Sequence, residues 1–142
     1  MTRGAKERST DWDDLPKGRG QHVLVVDDEA ALARLVQENL SELGYLSEAF
    51  SSSTAALQAF REEPGRFDAV VTDDRMPGLQ GTTLIREIRS IRTDMPALIV
   101  SGHVSADLLA RAREMGVAEI LKKPFALREL ADALYLLFER PR

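Results

Sequence analysis

Val23-Leu24-Val25-Val26-Asp27-Asp28-Glu29 decides the fold: four apolar residues, mostly β-branched, run without a break into three acids. A continuous apolar run of this length suits a strand buried on both faces, and the acids mark where it leaves the core. The same pattern returns at residues 67–72 (FDAVVT), which stop at Asp73-Asp74, and at residues 96–101 (PALIVS), where Gly102 follows Ser101. A weaker run at 45–49 and a short one at 118–121, followed by Lys122-Lys123-Pro124, make five candidate strands.

Between these runs the apolar period changes from two to about 3.6. Ala31, Leu32, Leu35, Val36, Leu40 and Leu43 form one helical stripe, ended by Gly44. Ser51-Ser52-Ser53 offers N-cap hydroxyls to a helix through Ala56, Leu57 and Phe60, broken by Pro64-Gly65. Met76-Pro77-Gly78 is a loop before a helix on Leu84, Ile85, Ile88 and Ile91. Ser105 or Asp107 caps the next helix, through Leu108, Leu109, Ala112 and Met115 to Gly116. The last helix carries an apolar core face through Leu127, Leu130, Ala131, Leu134, Leu137 and Phe138. Strands alternating with helices predict an α/β fold, a doubly wound five-stranded parallel sheet with five helices and right-handed crossovers. Such sheets bind ligands in the crevice beyond the carboxyl ends of their strands.

The 142 residues correspond to about one domain. With 44% hydrophobic residues the chain has enough apolar material for a core. It contains no cysteine, which excludes disulfides, thiolate metal sites and a cysteine nucleophile. Residues 1–20 are charged and rich in Gly, Pro and Ser, and read as a flexible tail or linker in which Trp12 stands out. Residues 21–142 make the domain. The net charge of −4 falls on that body rather than on the tail, the opposite of a nucleic-acid binder's basic stripe. No signal peptide and no run of 18 apolar residues is present, so the expectation is a cytoplasmic protein without membrane contact.

The strand-end rule brings Asp27, Asp28, Asp73, Asp74, Ser101 and Lys123 toward one crevice, while alternation turns Lys122 the other way. Carboxylates about 4–6 Å apart resist joint ionisation unless a cation compensates. Oxygen-only ligands with open positions suit Mg²⁺, which favours a phosphate as a further ligand. A lysine and a hydroxyl facing the same place suit phosphoryl oxygens. The constellation reads as carboxylate, Mg²⁺ and phosphate.

VLVVDDE, DAVVTDDRMPGLQG, ALIVSG and LKKPF, in this order, resemble the receiver domain of two-component response regulators over residues 21 to about 140. The resemblance implies a flavodoxin-like sheet of order 2-1-3-4-5. In the family the phosphoacceptor aspartate lies four residues before the proline and eight before the glycine. Pro77 and Gly81 thus assign it to Asp73, and leave Asp74 where the family usually has an apolar residue. The resemblance further implies Mg²⁺ held by Asp28, Asp73 and the Arg75 backbone carbonyl, with Asp27 acting through water. Ser101 takes the switch hydroxyl position and Lys123 the family's lysine position. The partners implied are a histidine kinase or a histidine phosphotransfer protein and an output protein. Ile120 departs from the pattern, since the family commonly has Tyr or Phe there, so the expected switch runs through Ser101, residues 102–105 and the following helix. Arg75 and His103, both bulky, flank the expected path of attacking water.

Three competing readings ask for other residues. A haloacid-dehalogenase-like phosphohydrolase needs Asp-x-Asp after its first strand and a cap, whereas Asp27-Asp28 is contiguous. A nucleotide or flavin module needs a glycine-rich loop there, and none is present. A structural pseudo-receiver would not need the full set of acids, hydroxyl and lysine. The junction at residues 15–29 is also similar to those preceding receivers at the end of hybrid histidine kinases. Without an output domain in these residues, signalling is expected to act through a partner.

Overall fold

The computed structural model describes residues 14–117 and 119–139. Five parallel strands form one sheet: β1 (His22–Val26), β2 (Leu46–Phe50), β3 (Ala69–Asp73), β4 (Ala97–Ser101) and β5 (Glu119–Lys122). Their order is β2-β1-β3-β4-β5, as the resemblance implies. Five α-helices follow the strands in turn: α1 (Ala30–Glu42), α2 (Ser53–Glu62), α3 (Gly81–Arg89), α4 (Ala106–Glu114) and α5 (Leu127–Glu139).

Strand alternation divides the interior into two layers. Val23, Val25, Ala69, Val71, Leu98 and Val100 face one side and pack on the stripes of α1 and α5. Leu24, Val26, Val70, Ala97 and Ile99 face the other, against α2, α3 and α4. The central strands β3 and β4 are buried along their whole length, whereas β2 and β5, at the edges, are half-buried. That is why the edge runs are weaker in the sequence.

Several boundaries differ from the expectations. Tyr45, read as the start of a strand, instead closes α1, its N–H donating to the Leu40 carbonyl at 2.9 Å while Gly44 takes a φ of +92°. Phe67 and Asp68 precede β3, and Asp73 is its last residue rather than the first beyond it. β5 runs one residue later than expected, through Lys122. Ser52 caps α2, accepting from the Ala55 N–H, and Ser105 rather than Asp107 caps α4, accepting from the Leu108 N–H. Pro64-Gly65 opens a turn of 3-10 helix, Pro64–Arg66.

Residues 1–13 of the expected tail, with Trp12, lie outside the described residues. Residues 14–20 are docked. Leu15 is buried in the α1/α5 layer, and the Gly18 and Gly20 N–H groups donate to the Leu43 and Gly44 carbonyls. Composition placed the boundary at residue 21, but one apolar side chain carries packing six residues further back.

Candidate functional site

The ends of β1, β3 and β5 meet at one end of the sheet, where Asp27 and Lys123 directly follow β1 and β5 and Asp73 closes β3. Asp27 is buried, and its two oxygens are both engaged: Oδ1 accepts the Glu29 N–H at 3.0 Å and Oδ2 accepts from Lys123 Nζ at 2.7 Å. Lys123 Nζ also lies 3.4 Å from Asp73 Oδ2. Asp73 Oδ1 accepts the backbone N–H of Asp74 at 2.8 Å. Asp28, on the exposed side, joins them: one carboxylate oxygen from each of Asp27, Asp28 and Asp73 lies within 4.8 Å of the others.

The electrostatics follow from three acids sharing one ammonium. Burial pushes the Asp73 carboxyl above its ordinary value, with Lys123 opposing and the charge of Asp27 adding to the rise. Burial pulls the Lys123 ammonium down, but the hydrogen bond and charge of Asp27, then Asp73, outweigh it and leave its pKa raised. Lys123 is thus held charged, and two negative charges remain without a partner in the cluster. Three converging carboxylates fit a hard divalent cation, which takes oxygen ligands.

The loop after β3 is held from two sides. An ideal Cβ on Gly81 would stand 2.2 Å from the Asp73 carbonyl oxygen, so only glycine lets α3 begin flush against the strand end. Ser53, buried at the start of α2, donates to the Pro77 carbonyl at 3.2 Å and accepts the Leu79 N–H at 2.9 Å. Between them Gly78 turns the chain at a φ of +87°. Arg75 is exposed at the head of this loop.

Ser101 is buried at the end of β4, but its hydroxyl serves its own loop, donating to the His103 carbonyl at 3.0 Å and accepting the His103 N–H at 3.1 Å. The His103 side chain is exposed. Ile120 packs against the α2/α3/α4 layer. Lys122 is exposed, turned away from the acids, with only a 3.5 Å contact to the Gly102 carbonyl.

Asp74 enters a different cluster, which the sequence did not reveal. Only 3% exposed, it takes a two-pronged contact from Arg111 of α4, Nη1 to Oδ1 at 3.2 Å and Nη2 to Oδ2 at 3.0 Å. Its Oδ1 also accepts the Thr82 N–H at 3.3 Å. Arg111 further donates to Thr82 Oγ1 at 2.5 Å and to Asp107 Oδ2 at 2.9 Å. The Asp74 hydrogen bond above all holds the Arg111 guanidinium above its ordinary value, against the effect of burial. An aspartate where an apolar residue was expected was the available signal, but its partner lies 37 residues away.

Comparison with known proteins gives a consistent result. Residues 23–135 match the family model described as the response regulator receiver domain. The chemotaxis protein CheY of Pseudomonas aeruginosa is 32% identical over 121 residues, 83% of this chain and 96% of that protein. The transcriptional regulatory protein FixJ of Bradyrhizobium diazoefficiens is 35% identical over 105 residues, 73% of this chain but only 50% of its own length. The crystal structure of a response regulator receiver domain protein from Clostridium thermocellum superposes with a TM-score of 0.79 at 33% identity, covering 84% of this chain and 95% of that one.

Proposed function

Because this chain belongs to the family of response regulator receiver domains, a signalling family, we propose that it accepts a phosphoryl group on Asp73 from the phosphohistidine of a histidine kinase or histidine phosphotransfer protein. A carboxylate oxygen of Asp73 forms the new O–P bond as the N–P bond of the donor breaks, leaving the donor imidazole. The Asp74 N–H and the Lys123 ammonium hold the two Asp73 oxygens in different directions, which orients the carboxylate for an in-line approach. Lys123, kept charged by Asp27, faces the phosphoryl oxygens as the transfer spreads negative charge over them. Mg²⁺ would be held by Asp28, Asp73 and the Arg75 carbonyl, with Asp27 acting through water, and would supply the positive charge that three acids facing one lysine leave unbalanced. Ser101 provides a donor to a phosphoryl oxygen once its hydroxyl leaves the His103 backbone. Hydrolysis of the acyl phosphate then resets the site, with no other substrate turned over.

The observation that carries this reading is the meeting of Asp27, Asp28 and Asp73 around a single lysine. A haloacid-dehalogenase-like hydrolase is not favoured, since the family match spans most of the chain. The chain spans half of FixJ, so the output partner is part of the proposal and not of the match. No helix among the described residues is long and apolar enough to cross a membrane, and we place the domain in the cytoplasm, acting through another protein rather than on nucleic acid. Incubation with phosphoramidate and Mg²⁺ tests the assignment. Asp73→Asn should abolish the labelling and Asp74→Asn should leave it; labelling that survives Asp73→Asn rules the assignment out.

A further inference from the structure

Asp74 has no part in the cation cluster, yet it is buried beside the acceptor and spends its whole carboxylate on Arg111 and the Thr82 N–H. Through Thr82 and Asp107 the same arginine joins the end of β3, the first turn of α3 and α4. The backbone of Asp74 does not need this pair. Its carbonyl accepts the Gly81 N–H at 2.9 Å, its N–H is bound to Asp73, and Gly81 packs directly on the strand end. What the two side chains fix is therefore the position of α4.

α4 is joined to the site by a second route. The Ser101 hydroxyl is occupied twice by the His103 backbone, and Ser105, two residues further on, caps α4. For Ser101 to donate to a phosphoryl oxygen on Asp73, the bond that it donates to the His103 carbonyl must break, which frees the loop to move with the helix that its Ser105 caps. Arg111, anchored to β3 and α3, resists that movement. Resting on the phosphoacceptor reading above, we propose that the Arg111–Asp74 ion pair is a latch that holds α4 in its unphosphorylated arrangement and opposes phosphorylation until the Ser101 loop turns. A guanidinium suits this role because its two parallel bonds fix direction as well as distance, which an ammonium does not.

Removing Arg111 alone would strand the buried Asp74 carboxylate. The decisive variant is therefore Asp74→Asn combined with Arg111→Gln, which leaves two amides, studied beside Arg111→Lys, which keeps the charge and loses the fork. Affinity for beryllofluoride at saturating Mg²⁺ is measured on the full chain by NMR, following the amides of residues 106–114. The latch predicts that the double variant binds at least ~5-fold more tightly, as releasing a restraint worth a typical coupling would give. It also predicts that these amides, before beryllofluoride is added, are already displaced toward their bound positions, with Arg111→Lys in between. If the double variant does not fold, tighter binding by Arg111→Lys supports the latch in its place. Unchanged binding in a folded variant overturns the latch. So does weaker binding, which would make the pair a support for Asp73. Absence of any beryllofluoride response in the unmodified chain overturns the phosphoacceptor reading and the latch with it.

Discussion

Asp73 and Asp74 are adjacent, both buried, and belong to two clusters of opposite character. Around Asp74, one arginine satisfies both carboxylate oxygens, with Thr82 completing the set. Around Asp73, three carboxylates share one lysine that is 2.7 Å from Asp27 but 3.4 Å from Asp73. The buried Asp74–Arg111 pair is balanced in charge, and its carboxylate is fully hydrogen-bonded. The second cluster is short of positive charge and keeps an exposed carboxylate, Asp28, at its rim. The difference separates a proposed binding site from a joint: the region left incomplete by the chain is the one we propose to take up a cation and a phosphoryl group.

Gly81 stands between the two clusters, and replacing it has the largest expected effect on stability. Gly81→Ala forces the Asp73 carbonyl and the start of α3 apart and should cost about 3 kcal/mol in urea unfolding, disturbing both clusters together. Native stability in that variant would show that the strand end yields easily.

Metal comes next. Mg²⁺ at 100 times its Kd should stabilise the folded chain by about 2.7 kcal/mol, and chelation should remove this. Asp28→Asn should lose more of that gain than Asp27→Asn, since Asp27 is already engaged by Lys123. Equal losses would mean that the ligand roles are wrongly divided.

A smaller effect concerns Asp73 without metal. Because its carboxyl titrates above the ordinary value, for which burial is the first cause, the folded chain favours the protonated acid. That contribution is full below the titration of the unfolded carboxyl and is lost as the pH rises through the folded one, so at neutral pH the ionised side chain opposes folding. Asp73→Asn should therefore raise the melting temperature of the metal-free protein at pH 7, and the gain should disappear below the carboxylate range. A lower melting temperature at pH 7 would contradict the charge shortage.

The smallest effect is expected in the Asp74 cluster. The Asp107 side chain is 78% exposed, so Asp107→Asn should cost less than about 0.5 kcal/mol in thermal unfolding. A larger loss would show Arg111 depending on Asp107 as well as on Asp74.

The sheet was legible because its central strands, β1, β3 and β4, are buried on both faces and leave uninterrupted apolar runs. The edges were less so: β2 is half solvated, and the burial of Tyr45, which resembled a strand residue, comes from the closing turn of α1. The strand-end rule brought Asp27, Asp28, Asp73, Asp74, Ser101 and Lys123 toward one crevice from topology alone, and of these Asp27, Asp28, Asp73 and Lys123 meet. It could not gather Asp74 with Arg111, whose meeting depends on how α4 is rotated against β3. Nor could it show that the Ser101 hydroxyl is already engaged by its own loop, since a hydroxyl's partner is decided by a local turn rather than by residue type.

The docked segment before β1 bears on how the domain is handled as a piece. Gly18 lies so close to Tyr45 that an ideal Cβ would come within 2.5 Å of the ring, and Leu15 fills a place between α1 and α5. Both contacts lie at the start of β2 and along the helix layer, at the far end of the sheet from the acids. A fragment begun at residue 21, where composition changes, would carry every residue of the proposed phosphoryl site and still open a hole in its core. Such a fragment would be chemically whole and mechanically loosened at its root, and any segment fused ahead of residue 14 would pull on a hydrophobic anchor before it pulled on the sheet.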